Sequence, residues 1–239
     1  MAEFGYRVDE SVFARFPDYV RGVVVARDVK NGETPADLVA RLREAEASLR
    51  SRLSLDTVAD LPAISSWREA FRSFGASPSK FRPSIEALVR RALRGEDLPS
   101  ISKLVDIGTI VSLRFLAPVG GHALDDVRAD LELRTATGNE SFIAFGSDEL
   151  EQPSPGEIIF AEGDVVLTRR WTWRQAKHTI VADTTRFIEF NVDGLPPTSR
   201  EEVEKACQET AGLVQELCGG STSFSILSRD NPSMIIAHQ

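Results

Sequence analysis

Near residue 131 the dominant period of the apolar residues changes from helical to strand-like, and that change restricts the fold more than any other feature. Before it, Leu38, Val39, Leu42, Ala45 and Leu49 recur at helical spacing with charges on the opposite face. Thr34-Pro35 reads as an N-cap with a first-turn proline. Ser66 and Glu69 form a capping-box pattern for a helix carrying Trp67, Ala70, Phe71 and Phe74, which stops at Gly75. Pro83 opens another helix, which buries Ile85, Leu88, Val89 and Ala92 and ends at Gly95. After residue 131 the period is two. LELRTAT, ESFIAFG, EIIFAE, VVLTRRWTW, TIVADTT and FIEFNV read as six short strands separated by turn residues. Helices followed by a block of strands predict an α+β fold rather than a doubly wound parallel sheet.

Three segments fall outside that division. YVRGVVVA, at 19–26, is a β-branched run of the kind found in buried strands. ISKLVDIGTIVSL, from 101, is nearly continuous in apolar residues, and periodicity leaves helix and strand both open. A last helix is predicted from Ser199, with Glu202 as capping partner, Val203, Ala206, Leu213 and Leu217 on one face, and Gly219-Gly220 as its stop.

A chain of 239 residues can close a large core without disulfides or structural metal. Cys207 and Cys218 are 11 positions apart, about 16 Å along a helix, too far to bridge within it. Two small buried thiols in a reducing compartment, and a cytoplasmic protein, are the expectation. No apolar run approaches a membrane span, and the first 20 residues lack the apolar core of a secretion signal. P-loop, Rossmann, nucleophile-elbow and zincin motifs are all missing. His122, His178 and His238 are scattered, so neither a metal nor a cofactor is expected.

The formal charge of −8 disfavours a generic nucleic-acid binder, yet it is unevenly spread. Segment 67–94 has a net charge of +5 and includes Lys80 and Arg82; TRRWTWRQAKH, at 168–178, has a net charge of +4 and includes Arg169, Arg170 and Arg174. Two readings of these segments stand. They form a basic face that tracks phosphates, with Trp171 and Trp173 as stacking surfaces, or they form solvated faces whose arginines pair with nearby acids. His122 lies in PVGGHALDD, where the glycines allow close backbone approach. From spacing alone it reads as a solvated loop histidine, or one placed to orient a water.

Leu104 to Asp125, LVDIGTIVSLRFLAPVGGHALD, resembles a block of the B3/B4 domain of the bacterial phenylalanyl-tRNA synthetase β subunit. Val105-Asp106-Ile107, Val111, Leu113, Pro118 and His122-Ala123-Leu124-Asp125 fall in register, with one extra residue between the proline and the histidine. Leu133 to Glu140 is similar to that family's next strand and turn; Arg82-Pro83-Ser84, Leu98-Pro99 and Pro155-Gly156-Glu157-Ile158 are similar to its free-standing members.

The resemblance implies a three-layer α/β/β arrangement, with helices packed on a mixed or antiparallel β-sandwich. It also implies a single domain over 1–239, with an N-terminal extension at 1–60, the family core at 65–195, and a C-terminal helix and tail at 198–239. In the synthetase this domain hydrolyses tyrosine wrongly esterified to phenylalanine tRNA. Carried over, His122 matches the histidine of the editing pocket and Glu189 a pocket glutamate that recognises the tyrosine hydroxyl. Thr109 stands where the family has asparagine, a pocket arginine has no counterpart near Pro99, and Arg169 to Gln175 replaces a glycine-rich loop. Thr109, Ser112, Asp125 and Glu189 are the candidate substrate contacts, with Thr109 and Ser112 also readable as local backbone caps. His122 is the candidate catalytic residue, and Lys80, Arg82, Arg169, Arg170 and Arg174 the candidate nucleic-acid contacts. The implied partner is tRNA or aminoacyl-tRNA with its amino-acid moiety, with no membrane and no DNA. Three functions remain open: a trans-editing deacylase that is not a complete tRNA ligase, a non-catalytic module that binds RNA or an amino acid, and a protein-interaction domain whose old pocket is empty.

Overall fold

The computed structural model describes residues 3–237. In chain order the elements are β1 (Glu3–Val8), α1 (Glu10–Arg15), β2 (Val20–Arg27), α2 (Ala36–Arg52), α3 (Pro62–Ser73), α4 (Ser84–Leu93), α5 (Lys103–Phe115), β3 (Val119–Ala123), β4 (Leu131–Thr135), β5 (Phe142–Ile143), β6 (Leu150–Glu151), β7 (Ile158–Glu162), β8 (Val165–Arg169), β9 (Arg174–Gln175), β10 (Phe187–Gly194), α6 (Arg200–Cys218), β11 (Ser221–Leu227) and β12 (Ser233–Ala237). No helix among the described residues is long and apolar enough to cross a membrane.

The fold is α+β, in three layers. An antiparallel sheet ordered β11-β2-β10-β3 lies between a helical layer and a second sheet ordered β12-β1-β4-β7-β8-β9. Helices α5 and α6 pack on the first sheet, and α2 packs on α5. The second sheet is mixed, because β1 runs parallel to β4 while its other pairs are antiparallel. Both faces of the four-stranded sheet are therefore covered, and all eight residues of β10 are buried.

Local chemistry explains most of the elements. Ser199 and Glu202 make the expected capping box at α6. Gly75 and Gly95 take left-handed backbone just past α3 and α4, where a side chain would be strained. The ambiguous run from 101 is helix α5, and it begins where buried Asp106 folds back on the preceding turn. Asp106 accepts hydrogen bonds from the Ser100 hydroxyl, the Ile101 backbone N–H and the Thr34 hydroxyl.

Several expectations are corrected. Thr34 spends its hydroxyl on Asp106, and Pro35 is the cap residue of α2. Helix α3 starts at Pro62, one turn before the predicted box, so Ser66 lies within it and bonds back to the Ala63 carbonyl. TIVADTT is turn and loop rather than strand, and Thr185 closes it by accepting from the Ala182 N–H. PVGGHALDD is not a solvated loop: its His122 lies in β3, paired with Glu189 of β10. The C-terminal tail forms β11 and β12, one edge strand for each sheet. The two thiols, by contrast, are as expected: Cys207 and Cys218 are both buried and unbridged in α6.

Candidate functional site

Strand β10 alternates two chemistries. Ile188, Phe190 and Val192 share one face, and Phe190 meets α5 at Gly108. Glu189, Asn191 and Asp193 share the other, which faces the second sheet. A polar row on a strand buried on both faces needs internal partners. Arg21, directly across from Asp193 on β2, supplies the charge: its Nε lies 3.2 Å from Asp193 Oδ1, with the two side chains 1% and 0% exposed. Tyr19 donates its hydroxyl to Asp193, as does the Asn191 amide at 2.8 Å. The Arg21 guanidinium also lies over the ring of Phe160 at 4.7 Å, which ties the two sheets together.

Glu189 takes no such partner. Its Oε2 is 3.5 Å from the Tyr6 hydroxyl, and its Oε1 has no hydrogen-bond partner among the described residues. Burial pushes its carboxyl up to about 8, against the pull of Arg21. It is therefore protonated at neutral pH, and the seam holds one cation against one carboxylate.

His122 stands beside it in β3, buried, with its ring edge-on to Phe160 at 5.1 Å. Burial and the Arg21 charge push its imidazole down to about 3, so it is neutral. Nδ1 is 2.7 Å from the Thr179 hydroxyl and Nε2 is 3.2 Å from the Thr168 hydroxyl. Gln175 donates its amide to the carbonyls of Gly121 and Thr179, completing the outer edge of β3 with a side chain.

Above His122 is a cavity of about 170 Å³. Its polar wall comes from Ser84, Thr168, Thr172, Arg174, Gln175 and Asn191, and Gly120 lies against Asn191 with no room for a Cβ. Among the described residues no carboxylate lines it. Trp173 continues the wall outward into a stack: its ring meets Phe81 at 4.9 Å, and the Arg170 guanidinium lies 3.7 Å from the Phe81 centroid and 4.4 Å from that of Trp173.

The candidates named from sequence are thus divided. His122 lines the cavity, and Glu189 lies next to it across the strand pair, sealed from solvent. Thr109 donates to the Val105 carbonyl within its own helix, Ser112 is buried in α5, and Asp125 accepts from the Arg186 N–H; none of the three lines the cavity. Arg174 and Lys80 present charge to solvent, as does Arg82 from a position 4.0 Å from Glu86. Arg169 is corrected: it is 5% exposed, gripped by Glu157 through two 2.9 Å bonds and by Glu151 at 2.8 Å, and so faces the interior. Trp171 is likewise interior, packed on Phe16, Tyr19 and Trp67, which leaves Trp173 as the stacking surface. His178 pairs with Glu162 away from the cavity, and His238 lies outside the described residues. Sequence reasoning missed Arg21, Thr168 and Thr172. An arginine inside YVRGVVVA was a signal for the first; nothing local marked the two threonines.

A family model described as the B3/4 domain matches residues 66–219. Among solved structures, an N-terminal fragment of the phenylalanyl-tRNA synthetase β-subunit from Pyrococcus horikoshii is similar over 98% of this chain and 54% of its own, at 12% identity and a TM-score of 0.47. The chain spans about half the length of that fragment. A search of curated proteins returned no match.

Proposed function

Because this chain belongs to the B3/4 domain family, we propose that it binds the acylated 3′ end of a tRNA and hydrolyses mischarged species in trans. One observation carries the reading: the small polar cavity over His122 opens beside Trp173 and Arg174, with Phe81 and an Arg170 that is only 11% exposed and 3.7 Å from Glu157 stacked against Trp173. A cavity of this size admits an acyl group and not a nucleoside. The aromatic and cationic rim suits the terminal base and its phosphate. An aminoacyl ester is already activated, so a positioned water and donors at the developing oxyanion are enough. Water adds to the ester carbonyl, the bond to the ribose oxygen breaks, and that oxygen keeps one proton. The amino acid leaves as its carboxylate, with the second proton released to solvent. The deciding experiment is a deacylation panel of correctly and wrongly charged tRNAs; faster loss of at least one mischarged species than of its correct counterpart is expected, and no turnover anywhere would refute hydrolysis.

A specific observation favours the second reading, a module that binds RNA or an amino acid without turnover. Both ring nitrogens of His122 are already hydrogen-bonded, so it offers no free base. Saturable binding of charged tRNA with no turnover selects this reading.

A further inference from the structure

The hydrogen bonds around His122 fix where its proton sits. The buried Thr179 hydroxyl has one acceptor among the described residues, Nδ1 of His122. The Gln175 amide nitrogen, a donor to two carbonyls, also lies 3.4 Å from Nδ1. A proton on Nδ1 would leave the Thr179 hydroxyl with no acceptor among the described residues and would lie beside an amide nitrogen that cannot accept, so Nδ1 carries the lone pair and the single proton of the neutral ring is on Nε2. Nε2–H then donates to Thr168 Oγ1. A hydroxyl that accepts from the imidazole has its own proton left to give, and Thr168 lines the cavity.

A second, independent observation lies on the same wall. Thr172 is 7% exposed and its buried Oγ1 has no hydrogen-bond partner among the described residues, which is unfavourable for a hydroxyl taken out of water. It sits just after two consecutive non-glycine residues in left-handed backbone, Arg170 at φ 47° and Trp171 at φ 64°. Such strain persists only where neighbours enforce it. Here the Trp171 indole is wedged among Phe16, Tyr19 and Trp67. The packing thus holds an unpartnered hydroxyl at the cavity wall.

We propose that Thr168 and Thr172 together hold the acyl oxygen of the ligand, and that His122 is a positioning residue that fixes the Thr168 proton from behind. The proposal deepens the deacylation reading and rests on it for the RNA part of the ligand. The ligand class follows from the wall. Its hydroxyls and amides suit the carbonyl of an ester or an amide, and the Arg174 guanidinium on the same wall suits an adjoining phosphate.

The test uses the full chain, 3′-(aminoacylamino)adenosines with an amide in place of the ester, and the matching amino-acid amides without the nucleoside. Thr168→Val and Thr172→Val are each expected to weaken binding about tenfold, with Thr168→Ser retaining affinity. ¹⁵N NMR of the His122 ring is expected to show protonated Nε2 and bare Nδ1. Unchanged affinity in both valine variants overturns the proposal, as does a proton on Nδ1. Binding of the amino-acid amides alone, with the same loss in the variants, sinks the RNA reading and upholds the acyl site. Binding of neither probe overturns the acyl site as well.

Discussion

Arg21 and Asp193 face each other across adjacent antiparallel strands, 3.2 Å apart and sealed from water on both sides. Two charges removed from solvent hold only as a pair. Truncating Arg21 to Met leaves Asp193 charged with its counter-ion gone, and is expected to cost about 3–5 kcal/mol. That is a large share of the stability of a typical protein. Replacing both, with Met and Leu, restores most of the loss. Urea denaturation of the two single variants and the double variant checks this, and additive losses would contradict it.

The seam also predicts a stability profile in pH. His122 titrates near 6.5 when unfolded and near 3 when folded, so its contribution declines as pH falls below 6.5 and levels off near 3. Glu189 runs the other way: near 4.5 unfolded and about 8 folded, it is protonated in the fold, and stability declines as pH rises from 4.5 to 8. Between 4.5 and 6.5 the two slopes cancel. Their joint contribution is a plateau there, falling on both sides. Glu189→Gln is expected to flatten the alkaline limb and leave the acid limb, which thermal melts across pH 3 to 9 would reveal.

Strand β2 and helix α6 approach too closely for any side chain at residue 22. A Cβ on Gly22 would stand 2.1 Å from the Cys207 sulfur and 3.1 Å from Val203 Cγ1. Gly22→Ala is expected to destabilise by about 1–3 kcal/mol through overpacking. The same change made in a Cys207→Ala background should cost clearly less, because the sulfur is gone. Equal costs in the two backgrounds would place the strain elsewhere.

The arginines of the 168–178 segment should separate by experiment. Arg169→Ala breaks a buried pair with Glu157 and is expected to cost about 3–5 kcal/mol. Arg174→Ala and Lys80→Ala remove exposed charges and should change stability by about 1 kcal/mol or less. If the rim binds RNA together with Lys80, whose Nζ lies 5.2 Å from the Phe81 centroid, each of these two lowers the slope of log affinity against log salt by roughly 1. Filter binding between low and moderate salt measures it, and an unchanged slope in both variants would remove the rim from the interface.

Much of the helical half was legible, because its signals are local. The capping box at Ser199, the stops at Gly75 and Gly95 and the apolar stripes of α2 and α4 need only neighbours a turn away. Signals of equal strength failed where a distant group competed. Thr34 had the chemistry of an N-cap, and buried Asp106, 72 residues on, took its hydroxyl. TIVADTT had strand composition but pairs with no strand.

The alternation in FIEFNV told which of those residues of β10 share a face, and the change of period told the class of the fold. Neither could tell what covers each face. A period-two strand reads as half solvated, and only the second sheet, through Tyr6 and Phe160, turns Glu189 and Asp193 into interior groups. The same closure shuts His122 away from water and places it behind Thr168. Side-chain periodicity is a property of the backbone of one segment. Burial, and with it protonation and reach, belongs to the layer packed against it.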